Sequence, residues 1–129
     1  MLLAAADRSD PDHDACRELL ETSRRPLITT ELVIAETGRL LNRQLGPTGE
    51  AALYRSIADG ELLIERLLSG DWHRIAALTE QYADQPLGGV DASLVAVAER
   101  LGLDTIATLD RRHFAVVRPS HRPALDLVP

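Results

Sequence analysis

Three carboxylates are the residues of this chain best placed to do chemistry: Glu36 in TELVIAETGRLL, Asp91 in PLGGVDASLVAVAERLGL and Asp110 in TIATLDRRHF. Each sits where an apolar pattern turns a polar residue toward the interior, and an acid taken out of water needs a cation or a proton. Carboxylates gathered within a few ångströms repel one another and take up protons, whereas a hard divalent cation favours oxygen ligands and keeps them ionised. A cation held in this way can activate water for in-line attack and neutralise charge on the transition state and leaving oxygen, with no covalent nucleophile. Simpler readings stand beside this one. At ~100° per residue, Leu94, Val95, Ala98 and Leu101 form one helical stripe with Asp91 in its middle. Taken alone, Asp91 reads as a helix cap answering orphan amides and the dipole. Glu36 lies on the rim of the arc Val33, Ile34, Thr37, Leu40, Leu41 and Leu45, with Arg39 and Arg43 on its side at i+3 and i+7. Alone, that face reads as a solvated one with a weak Glu-Arg pair; its functional reading is a metal-facing acid with two arginines placed to hold a phosphate backbone.

Alternating helical and strand patterns must position these acids. Asp10-Pro11 starts a helix, with Asp10 as cap, that runs to about Glu21. Pro26 to Thr29 reads as a short strand, followed by a helix over Glu31 to Leu45 that Gly46-Pro47 ends and a second over Thr48 to Asp59. Leu62-Leu63-Ile64 is a strand, Asp71 to Tyr82 a helix, Gln85 to Gly89 a loop, and Asp91 to Gly102 a helix. Thr105 to Thr108 is a buried strand, and Leu125-Asp126-Leu127 a last edge strand. Strands separated by helices imply βαβ crossovers and an α/β fold with a parallel sheet covered on both faces. Ligands of such sheets bind at the carboxyl ends of the strands, where Asp110 is expected.

Composition bounds the class. With 129 residues and 45% apolar content, the chain has the material for one domain with a sizeable core. Its four aromatic residues, Tyr54, Trp72, Tyr82 and Phe114, are too few for base-stacking platforms. Cys16 has no partner for an internal disulfide, which fits a reducing cytoplasm, and no apolar run approaches a membrane span. A formal net charge of −6 argues against broad electrostatic binding to nucleic acid but permits a local basic strip beside an acidic centre.

Together, the order and surroundings of the acids resemble the PIN domain, specifically the VapC-type toxin ribonucleases of toxin-antitoxin pairs. The resemblance covers nearly the whole chain. LLAAADRSDPDHDAC is similar to the family's first helix, ITTELVIAETGRLL to its glutamate helix, YADQPLGGVDASLVAVAERLG to its central aspartate motif and IATLDRRHF to its last acidic motif. The resemblance implies a three-layer α/β/α domain with a small parallel sheet, whose carboxylates hold Mg²⁺ or Mn²⁺ for hydrolysis of RNA phosphodiester bonds. The acidic ligands map onto Glu36, Asp91 and Asp110, and Thr108 matches the polar residue that often precedes the last aspartate by two. Arg39, Arg43, Arg111 and Arg112 are candidate phosphate contacts. The resemblance also implies a homodimer, a small VapB-type antitoxin as partner, a cytoplasmic location and no membrane association.

One departure is expected to matter. PIN domains usually open with a central strand ending in an Asp-Thr/Ser pair, and Met1 aligns after that point, so residues 1–129 are read as a single, N-terminally truncated PIN-like domain whose first strand lies upstream. Without it, neighbouring strands should carry unpaired edges. A catalytically impaired PIN-fold module that sequesters a protein or RNA partner is the competing reading. His13, His73, His113 and His121 show no metal-ligand spacing and read as surface or capping residues, Trp72 as a packing or interface residue, Cys16 as a small buried hydrophobe and Asp84 as part of a turn.

Overall fold

The computed structural model describes residues 1–23, 26–85 and 87–129; Pro86, in the expected loop, lies outside them. Its contacts divide the chain into two compact units, Met1–Glu65 with Pro129, and Arg66–Val128. No helix among the described residues is long and apolar enough to cross a membrane.

The first unit carries α1 (Leu2–Ala6), α2 (His13–Thr22), β1 (Leu27–Thr29), α3 (Glu31–Ala58) and β2 (Leu62–Ile64). Helix α2 begins two residues later than Asp10 as cap would set it. The Asp10 carboxylate instead accepts the Asp12 amide at 2.9 Å and the Asp10 carbonyl the His13 amide at 3.1 Å, so Asp10-Pro11 forms the turn before the helix. Thr30 caps α3, its side chain accepting the Val33 amide at 3.4 Å. The two expected helices form one continuous element broken at Gly46, whose φ of 76° and ψ of −175° bend the chain just before Pro47. Ile34, Leu41, Leu53 and Leu62 make one buried cluster, against which Leu2, Leu3, Leu27 and Ile57 pack. Ala4, Ala5 and Cys16 make a second, with Cys16 fully buried as its apolar setting demands.

The second unit carries α4 (Ser69–Gln81), α5 (Gly89–Leu101), β3 (Thr105–Ala107), α6 (Arg111–Ala115) and β4 (Asp126–Val128). Helix α5 is buried well beyond one stripe: Ala92, Ser93 and Val95 through Ala98 are all covered, while Leu101, expected on that stripe, is 39% exposed. Small residues permit this close coverage. The helix ends at Gly102 in the left-handed region (φ 64°), where the Leu103 amide returns to the Ala98 carbonyl at 2.8 Å. Side-chain clamps join α4 to α5. Arg74 meets Glu99, and Arg100 reaches both oxygens of Asp71 at 3.0 Å, while Asp71 also accepts the Leu68 amide at the start of α4. Asp84 lies in the turn that follows α4.

The expected single sheet takes a different form. β1 pairs with β2 (Leu27 opposite Leu62) and β3 with β4 (Thr105 opposite Asp126), both in parallel, as two separate two-stranded ladders. Each ladder is closed by its own crossover, and no strand among the described residues pairs with members of both. The fold class is nevertheless α/β with short parallel strands connected through helices.

Candidate active site

Asp110 owes its position to the end of β3. The Thr108 amide donates to the Val128 carbonyl at 2.7 Å, extending the ladder by one bond, and the Thr108 hydroxyl oxygen then accepts the Asp110 amide at 3.0 Å. This turn sets Asp110 immediately beyond the carboxyl end of the strand, as the parallel arrangement requires. Helix α6 starts at the next residue and is anchored by Phe114, only 2% exposed. His113 is the residue just before that anchor on α6.

Asp91 arrives from the first turn of α5. Its carboxylate does not cap the helix: Gly88 occupies the cap position, without a side-chain hydrogen bond, and Asp91 is the third helical residue. The capping reading of Asp91 is therefore overturned. The carboxylate instead meets His113, with Oδ2 2.8 Å from Nδ1, while the other ring nitrogen, Nε2, lies 3.2 Å from Asp110 Oδ2. One imidazole thus contacts two carboxylates, one from the first turn of α5 and one from the turn just before α6. Both nitrogens meet these acceptors as donors only when both carry hydrogen.

Exposure corrects a second expectation. The Asp110 side chain is 52% exposed, those of Asp91 and His113 24% each, and Glu36 is exposed. The acids line solvent-reachable surface rather than the core, because the apolar positions beside them carry the burial. They remain open to a cation or substrate without dehydration of a closed cavity. His113, read from sequence as a surface or capping residue, is the site residue that reading missed. Its i+3 spacing from Asp110 was the available signal.

Glu36 belongs to the first unit, in the second turn of α3. Among the described residues it forms no ion pair with Arg39 or Arg43, so the weak surface pair is absent. Arg39 and Arg43 instead line an open recess with Ala35, Asn42 and Glu50, the last contributed from beyond the Gly46 bend. Tyr54 donates to Glu50 at 2.8 Å, and Asn42 donates to the same carboxylate at 2.5 Å, which fixes the far wall. Arg111 and Arg112 are the exposed first residues of α6, next to Asp110. The structure therefore joins Asp91, Asp110 and His113 directly, and gathers Arg39 and Arg43 along one side of α3.

Asp7 is already engaged elsewhere. Its carboxylate accepts the hydroxyl and amide of Ser9 at 2.7 and 2.9 Å and the amide of Gln44, and these bonds hold it below the usual aspartate range. It ties the end of α1 to α3.

A metal fits the donor set, since carboxylate oxygens are the ligands that hard divalent ions select. Among the described residues no three side chains stand at metal-holding separation, and Asp91 and Asp110 are joined only through their shared contact with His113.

The family model of the PIN domain matches residues 1–118, across both units. The chain is 36% identical over 118 residues to Ribonuclease VapC26 of Mycobacterium tuberculosis, covering 92% of this chain and 87% of that protein. The crystal structure of Mycobacterium tuberculosis VapC20, described as a sarcin-ricin loop cleaving toxin, superposes with a TM-score of 0.84 at 19% identity, covering 99% of this chain and 94% of that one. With a family model matching most of its length and a ribonuclease relative at this identity, the chain belongs to the PIN-domain family. Ribonucleases of this family are generally metal-dependent.

Proposed function

We propose that this chain is a metal-dependent endoribonuclease toxin of a type II toxin-antitoxin pair, acting as one PIN-like domain in the cytoplasm with Glu36, Asp91 and Asp110 as its metal ligands. The observation that carries the assignment is the shared contact of Asp91 and Asp110 with His113, with Asp110 just beyond the carboxyl end of β3, in a chain whose relative is a VapC ribonuclease. Mg²⁺ or Mn²⁺ suits an all-oxygen donor set, and when bound such an ion supplies charge neutralisation at the scissile phosphate and a more acidic water.

The side chains divide the remaining work. Asp91 and Asp110 present oxygens on solvent-reachable surface, and Glu36 adds a third carboxylate. Thr108 holds the turn that aims Asp110. Arg39 and Arg43, on the Glu36 side of α3, and Arg111 and Arg112, at the start of α6, are the candidate contacts to backbone phosphates flanking the cleaved bond. Such basic residues give local attraction for RNA on a protein of negative net charge. A small VapB-type antitoxin would cover the acidic centre, and the active form would be a homodimer.

Asp91→Asn is the decisive variant, because the amide preserves shape and removes charge. RNA cleavage that requires Mg²⁺ or Mn²⁺, stops in EDTA and is lost in Asp91→Asn with folding intact is the expected result. Cleavage that persists in Asp91→Asn or in excess EDTA would remove the metal-nuclease assignment, and RNA binding without cleavage by the unaltered chain would favour a sequestering module.

A further inference from the structure

We propose that the recess between the two halves of α3 is a base-reading subsite for single-stranded RNA, in which Glu50 accepts the paired N–H groups of one guanine while Arg39 and Arg43 hold the adjoining phosphate. The inference rests on the reading of the chain as a ribonuclease and adds the base it selects.

The recess encloses about 480 Å³, within the range of small-ligand sites, and is lined by Ala35, Arg39, Asn42 and Arg43 before the Gly46 bend and by Glu50 after it. Neutral donors hold the Glu50 carboxylate. Tyr54 donates to Oε1 at 2.8 Å and Asn42 to Oε2 at 2.5 Å, and Glu50 in turn keeps the Tyr54 hydroxyl above the usual phenol range, so that it stays a donor. A Cβ added at Gly38 would lie 2.8 Å from the Tyr54 hydroxyl oxygen, so a side chain there would displace that donor. Among the described residues neither Arg39 nor Arg43 forms an ion pair or a side-chain hydrogen bond.

This donor and acceptor pattern selects a base. An ionised carboxylate has about four lone-pair sites, and with one taken on each Glu50 oxygen, each oxygen keeps another for a second donor. Guanine is the RNA base that presents two adjacent donors, N1–H and N2–H, on its Watson–Crick edge. Adenine would set the acceptor N1 against the carboxylate, and each pyrimidine places an acceptor beside its donor. Reading the edge of an unpaired base is a common mode of RNA recognition, and it needs no stacking platform. The two guanidinium groups, on the same side of α3, are donors only and match phosphate oxygens.

A purely structural role predicts something different. If Glu50 only ties Asn42 to Tyr54 across the bend, replacing it lowers stability and changes the binding of every RNA alike.

The experiment is fluorescence anisotropy at fixed salt, in EDTA, of the full chain with oligouridines carrying a single guanosine, inosine or adenosine. The unaltered protein, Glu50→Gln, Tyr54→Phe and Arg39→Ala are compared, each checked for folding by circular dichroism. The unaltered chain should bind the guanosine oligomer about tenfold or more tighter than the adenosine one. Inosine, which lacks the N2 donor, should fall between them; inosine binding as tightly as guanosine would remove the paired contact. Glu50→Gln should erase the guanine preference, whereas Arg39→Ala should weaken both oligomers and keep their ratio. Should Glu50→Gln fail to fold, Tyr54→Phe decides, since it removes the donor that orients Glu50: a reduced preference supports the inference, and a full one overturns it. Equal affinity for guanosine and adenosine in the unaltered chain, or a preference kept by folded Glu50→Gln, overturns the inference, while metal-dependent cleavage in a parallel assay leaves the ribonuclease reading intact. Binding of an oligoglutamate peptide in place of every oligomer would assign the recess to an acidic protein segment instead. No binding of any oligomer overturns the inference, and no cleavage beside it overturns the ribonuclease reading as well.

Discussion

Arg74 and Glu99 face each other in a bidentate pair, Nε to Oε2 at 2.7 Å and Nη2 to Oε1 at 2.8 Å, which locks α4 to α5. The Ser120 amide donates to Oε1 as well, at 2.8 Å, so the loop after α6 closes on the same carboxylate. Helix α5 carries Asp91 at its start, and the pair therefore sits in the frame of the site without touching it. Burial alone would raise the Glu99 carboxyl, but the Arg74 guanidinium and the Ser120 amide outweigh it and hold Glu99 below its ordinary 4.5.

That depression has a sign. A carboxylate held lower in the folded than in the unfolded state contributes stability that is fully present above 4.5 and is lost as pH falls through the depressed value. Glu99→Gln should flatten the acid limb of the stability curve in that window. Arg74→Ala, which leaves Glu99 largely buried without its partner, should cost about 3 kcal/mol at neutral pH. Urea denaturation followed between pH 3 and pH 7, a range of about four units chosen to bracket the carboxylate transition, measures both.

Thr108 is the second lever. Thr108→Ser keeps the oxygen that accepts the Asp110 amide and should retain cleavage, whereas Thr108→Ala removes it and should lose about 1 kcal/mol of stability and most activity. Equal rates for the two variants would show that the turn stands without this bond.

Backbone strain governs the third. Gly46 combines a φ of 76° with a ψ of −175°, a region nearly closed to other residues, although an added Cβ would meet no atom within 4 Å. Gly46→Ala should therefore destabilise by about 1–3 kcal/mol through conformation alone. It should also loosen the recess that Arg39 and Arg43 share with Glu50, which chemical-shift changes at Tyr54 would report.

Electrostatics governs the last. Arg39→Ala and Arg43→Ala should weaken RNA binding with little change in folding, and each lost phosphate contact should reduce the slope of log affinity against log salt by about 0.7 for single-stranded RNA. Binding measured across a salt series tests this. A uniform loss of affinity with an unchanged slope would point to packing rather than phosphate contact.

Most of the order of elements, α6 excepted, was legible in the amino-acid sequence because the signals involved are local. Thr30 before an amphipathic run, Gly46-Pro47 within one, Gly102 after one and short β-branched or apolar segments each constrain a few neighbouring residues, and a polar residue at a marked register can be read without knowing its partner. What Asp91 does with its carboxylate was not legible: at the first turn of a helix, capping and a distant contact look identical in sequence. Tertiary structure decided between them by bringing His113, 22 positions further on, to 2.8 Å. It likewise decided that the acids lie at the surface, that Arg74 finds Glu99 across 25 positions, and that the strands form two ladders. Hydrophobic periodicity says which side of an element is covered, but the identity of a polar partner depends on how covered sides from distant segments rotate into register, and that rotation is settled only when Phe114, Ala92 and Val95 are packed.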